Sequence, residues 1–62
     1  MKISPVENFR QLGTSMRVSK EKVYDAVLAT NQPNWEERRL VFLLDGEDSM
    51  LLQGDEYEVI EP

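Results

Sequence analysis

Ser15-Met16-Arg17-Val18-Ser19-Lys20-Glu21-Lys22-Val23-Tyr24-Asp25-Ala26-Val27-Leu28-Ala29-Thr30 is the stretch on which the fold depends, because it reads in two ways. As a helix, Ser19 caps the segment from Lys20, Val23, Ala26, Val27 and Thr30 recur at i, i+3, i+4 and i+7, and Asn31 closes it ahead of Pro33. As strands, Met16 and Val18 mark a short one and Lys22 to Thr30 a long one, with Tyr24, Ala26, Leu28 and Thr30 on one face and Val23, Asp25, Val27 and Ala29 on the other. Two features favour strands. The third helical position is Lys22, where a capping box wants a glutamate, and Val, Tyr and Thr give up side-chain freedom in a helix. The strand reading predicts a mainly β domain. The alternative is α+β, with a helix at residues 20–30 on a three-stranded antiparallel sheet.

Toward the N-terminus, Ser4-Pro5-Val6-Glu7 has the make-up of a capping box with proline at the first helical position. Val6, Phe9 and Leu12 follow at intervals of three, and Gly13 can adopt the left-handed conformation that ends a helix. A short helix over residues 5–12 is therefore expected, packed on the core because two turns are not stable alone in water. On the other side, Asn31-Gln32-Pro33-Asn34 is a loop by its turn chemistry. The unbroken run Leu40-Val41-Phe42-Leu43-Leu44 predicts a strand buried on both faces. Asp45-Gly46-Glu47-Asp48 turns the chain, Met50-Leu51-Leu52 is a second apolar run, and Gly54-Asp55 is a second turn. Tyr57 and Val59 alternate with Glu56 and Glu58 in a final strand. Strands at this spacing, in one domain over residues 1–62, suggest an antiparallel meander closing into a small barrel.

A short strand, a long strand running into a polar loop, a central Leu-Val-Phe-Leu strand and two strands separated by a glycine turn resemble the order of small SH3-like barrels over residues 15–61. Val23-Tyr24-Asp25-Ala26 is similar to part of the aromatic-acidic segment that opens peptide-binding SH3 domains. No paired tryptophans and no Pro-x-Asn-Tyr segment follow, so the resemblance implies the barrel order and not proline-rich peptide binding.

Composition narrows the function classes. With no cysteine and no histidine, disulfides, thiolate nucleophiles, imidazole bases and most transition-metal sites are absent. A chain of 62 residues buries one thin core and leaves no room for a deep cleft. Paired carboxylates need such a cleft to separate their pKa values for acid–base work, so no enzymatic activity is expected. Asp45-Gly46-Glu47-Asp48-Ser49 offers oxygens to a hard cation but lacks the spacing of a calcium loop. It reads as a solvated turn, and no metal or cofactor is expected.

Seven bases against twelve acids give a net charge of −5. All the bases lie at or before Arg39, and Asp45, Glu47, Asp48, Asp55, Glu56, Glu58 and Glu61 leave the segment from Leu40 onward with −7. This balance disfavours direct binding to nucleic acid or to an anionic membrane. The first residues lack the apolar core of a signal peptide and no stretch is long enough to span a bilayer, so a soluble cytoplasmic protein is expected.

Trp35 follows a polar loop and precedes Glu36-Glu37-Arg38-Arg39, the setting of an interface anchor or of a lid folded back on the barrel end. The expected partner-binding residues are Trp35 and Asn34 of this loop, Tyr24 beside it, and Asp45, Glu47 and Asp48 in the acidic turn; Tyr57 is a second aromatic placed to flank Trp35. The resulting expectation is a non-enzymatic interaction module for a protein partner, a basic one suiting the acidic segment, and a homodimer is compatible with it. Two other functions fit: an acidic mimic of nucleic acid that inhibits a DNA- or RNA-binding protein, and a small structural subunit of a larger assembly.

Overall fold

The computed structural model describes residues 1–62. Its strands are β1 (Lys2–Pro5), β2 (Phe9–Arg10), β3 (Arg17–Val18), β4 (Tyr24–Leu28), β5 (Val41–Asp45), β6 (Asp48–Leu52) and β7 (Tyr57–Glu61). One helical turn, α1 (Trp35–Arg38), joins β4 to β5, and a 3-10 turn (Gly54–Glu56) leads into β7. Five strands form one antiparallel sheet in the order β6-β5-β4-β1-β7, and β2 and β3 form a separate hairpin. The protein is mainly β. No ladder joins the edge strands β6 and β7, so strand pairing does not close the sheet into a barrel.

The ambiguous stretch resolves as strands. Met16 and Val18 are buried around β3, and β4 occupies the centre of the large sheet, with Ala26 opposite Leu43 and Ile3 opposite Tyr24. The helix alternative at residues 20–30 is thereby excluded: Glu21 has φ 72 in a turn that the Lys22 N–H closes on the Ser19 carbonyl (3.3 Å). A central position gives β4 a hydrogen-bonding neighbour on each side, a larger gain than the isolated helical stripe offers.

The expected helix over residues 5–12 is not formed. Lys2–Pro5 is a strand between β4 and β7, with Ser4 opposite Glu58 and Pro5 opposite Tyr57, and the Val6 N–H donates to the Glu56 carbonyl (3.0 Å). The helix would have used Ser4 as a cap and buried only a three-residue stripe; the strand buries Ile3 completely and keeps its backbone paired on both sides. Gly13 does take a left-handed conformation (φ 83), in the turn between β2 and β3 and not at a helix end.

The core is Ile3, Met16, Val18, Ala26, Val41, Leu43, Met50, Leu52 and Tyr57, with Met1, Phe9 and Tyr24 packed against it. It lies on one face of the sheet. Val41 and Leu43 of the apolar run point into it, whereas Phe42 and Leu44 point away and are only half-buried. The run is thus covered on one face, and Val27, Phe42 and Leu51 stand in register across β4, β5 and β6 on the outer one.

Candidate functional site

The connection from β4 to β5 is built by local chemistry. Asn34 holds φ 60, a left-handed conformation that asparagine tolerates better than most residues, and its side chain makes no cap hydrogen bond. The turn that follows has Glu36 and Glu37 at its start and Arg38 at its end, an order that complements the helix dipole. Arg39, also left-handed at φ 52, closes it by donating its backbone N–H to the Glu36 carbonyl (3.2 Å). Sequence periodicity does not reveal a helix of four residues.

Long-range contacts fix this turn in place. The Tyr57 hydroxyl donates to the Arg39 carbonyl at 2.7 Å, the Arg39 guanidinium donates to the Gly54 carbonyl at 3.0 Å, and the Arg38 guanidinium donates to Gln53 Oε1 at 3.0 Å. Gln53 is itself held by a reciprocal capping box with Glu56. Gly54 has a steric reason: a Cβ there would lie 2.3 Å from Arg39 Nε, where the guanidinium now sits.

The product is an open groove of about 290 Å³ lined by Leu28, Trp35, Glu36, Arg39, Tyr57 and Val59. Leu28 and Val59 are each about half exposed, at 53% and 49%, and Trp35 is half-buried. The indole stands outside the buried core. It forms one wall of an apolar trough, with one carboxylate and one guanidinium among the lining residues.

The expected site residues fall into three places. Trp35 lines the groove with Tyr57, and Asn34 shapes the adjoining backbone. Tyr24 does not reach the groove; it packs against the core, and its hydroxyl accepts the Ser19 N–H at 2.9 Å. Asp45, Glu47 and Asp48 are exposed around the β5–β6 turn, Asp45 directly opposite Asp48, and none of them lines the groove. The remaining acids are distributed as well: Glu58 and Glu61 lie on β7, the other edge of the sheet. Leu28, Val59 and Arg39 carry no signal of the groove in the sequence. Leu28 and Val59 read as ordinary strand residues, and only the ends of β4 and β7 meeting α1 makes them part of a groove.

No group of acidic residues is gathered closely enough to hold a metal ion, and no helix is long and apolar enough to cross a membrane. The one ion pair joins Lys2 on β1 to Asp25 on β4, cross-strand neighbours that are both substantially exposed. Their hydrogen bond, reinforced by charge attraction, raises the Lys2 pKa and lowers that of Asp25. A half-buried tryptophan set in an open groove at the end of a small, mainly β domain therefore defines the candidate site. Comparison of the chain with family models, with curated proteins and with solved structures finds no match.

Proposed function

We propose that this chain is a non-enzymatic protein-interaction module of SH3-like build, acting in the cytoplasm, whose anchor is Trp35. The observation that carries the reading is the position of the indole, half-buried in an open apolar groove and outside the core. Tryptophan in such a setting loses little conformational entropy on binding and has much area left to bury. The consecutive β4-β5-β6 meander, followed by a glycine turn and a last strand, supports the SH3-like order.

An apolar side chain of the partner enters between Trp35, Leu28 and Val59, and a basic residue beside it faces Glu36. The acidic β5–β6 turn contributes steering at a distance, an effect that salt weakens. Affinity capture from cells with the wild-type protein and with Trp35→Ala tests this. The substitution should abolish recovery of the partner while the thermal midpoint stays within a few degrees. Undiminished recovery would show that Trp35 is not the anchor, and a collapse in stability would make it a structural lid.

A further inference from the structure

The β2–β3 hairpin carries charge opposite to the rest of the molecule. Residues 8–23 hold Arg10, Arg17, Lys20 and Lys22 against the single acid Glu21, a balance of +3, which leaves −8 on the remainder of a chain whose total is −5. Arg10 and Arg17 stand directly opposite each other in the two-residue ladder. Their neighbours Phe9 and Val18 pack toward the core, so by the alternation of a strand the two arginines project together into solvent. Like charges facing each other across a ladder destabilise it. No carboxylate relieves this pair, because the molecule's one ion pair is Lys2–Asp25.

The hairpin is nevertheless ordered. The Gln11 N–H donates to the Met16 carbonyl (3.1 Å), the Met16 N–H to Thr14 Oγ1 (3.2 Å), and the Lys20 N–H to Asn8 Oδ1 (2.9 Å). At its tip Leu12 is 86% exposed, more than any other large apolar side chain in the protein. Two unpartnered arginines, two lysines and an exposed leucine are thus displayed on a fixed scaffold.

We infer that this hairpin docks an acidic peptide segment of a partner protein, at a surface separate from the Trp35 groove. Cross-strand Cβ atoms lie about 4.5–5.5 Å apart, which lets two guanidinium groups close on one carboxylate or on two adjacent ones. Lys20 and Lys22 extend the positive field, and Leu12 takes an apolar side chain flanking the acids. A nucleic acid suits the site less well: phosphate affinity grows with the number of cations engaged, four are present, and a long polyanion would run against the remaining −8. A second copy of the chain would offer the carboxylates of its β5–β6 turn, and the oligomeric state distinguishes that occupant from a partner protein.

The test uses a fluorescent poly-glutamate peptide containing one leucine, titrated into the wild-type protein, Arg17→Glu and Arg10→Gln, with thermal unfolding of each. The expected result is saturable binding that weakens as salt rises and falls about tenfold in each variant. Arg17→Glu places a carboxylate opposite Arg10, so its midpoint should rise by about 2–4 °C as affinity falls. A purely structural pair would show the reverse, a lower midpoint. No binding, or binding indifferent to both variants, overturns the inference. So does tighter binding of a thymidine oligonucleotide than of the peptide, which would make the site a nucleic-acid surface. Sedimentation showing oligomers that Arg17→Glu dissolves would identify the occupant as a second copy and would likewise overturn it.

Discussion

Lys2 and Asp25 show how a single exposed pair marks its pH window. Asp25 is held below its ordinary 3.8, so its contribution is present above that value and disappears as pH falls through the lowered one. Lys2 is held above its ordinary 10.5, so its contribution is complete below that value and disappears as pH rises through the raised one. The difference in thermal midpoint between the wild-type protein and Lys2→Gln should therefore be steady across the neutral range, vanish in acid and in strong base, and shrink with added salt. A difference that grows below pH 3.8 would contradict the assignment. Tyr57 works at the same scale by other means. Its ring is core and one wall of the groove, and its hydroxyl satisfies the Arg39 carbonyl at 2.7 Å.

Among the elements, α1 depends least on its own propensity and most on its attachments. Four residues cannot nucleate a stable helix alone, so the bonds from Tyr57, Arg38 and Arg39 to its surroundings set its position. Tyr57→Phe removes one of them at a cost of about 1 kcal/mol. In a domain of this size that lowers the midpoint by about 4–8 °C, and the indole should become easier to quench as the turn loosens. An unchanged midpoint would show that α1 is held by something else.

The same competition between local signal and tertiary pairing explains which elements were legible in the sequence. The Leu40–Leu44 run, the Gly46 turn and the Tyr57–Val59 alternation each became strand or turn, although the run, whose unbroken apolar pattern predicts burial on both faces, is covered on one face only, with Phe42 and Leu44 half-buried on the other. Ser4-Pro5-Val6-Glu7 did not become a helix. Its capping-box composition is a local preference, and a slot between β4 and β7 outweighs it. Nothing in residues 2–5 announces that slot, since Ile3 is one apolar residue among polar and proline neighbours, and its burial follows from strands more than twenty residues away.

For the whole molecule, stability rests on a thin core placed on one side of the sheet. Leu43 is fully buried at its centre, and Leu43→Ala should cost about 2–5 kcal/mol. A core of this size supplies only about 3–5 kcal/mol, so that variant should be largely unfolded by circular dichroism at room temperature. Leu12→Ala, at the exposed hairpin tip, should leave the spectrum unchanged. A well-folded Leu43→Ala would mean that the hydrophobic centre lies elsewhere. Net charge was readable from composition, but its arrangement was not. The first part of the chain has mixed charge by count, and only folding separates a basic hairpin from acids spread over both sheet edges. The candidate site was legible through Trp35 with Asn34 and Tyr57 beside it, because a lone tryptophan after a polar loop stands out in sequence, whereas Leu28, Val59 and Arg39 join the groove only where the ends of β4 and β7 meet α1.

That tryptophan is the only one in the chain, so its fluorescence reports on the groove without interference from another indole. Acrylamide quenching of Trp35, in the free protein and in complex with the partner recovered by affinity capture, shows whether the indole is the anchor. Quenching should be moderate in the free protein, with strong protection and a blue-shifted emission in the complex. Equal quenching in both states would show that the partner binds elsewhere and that Trp35 is not the anchor.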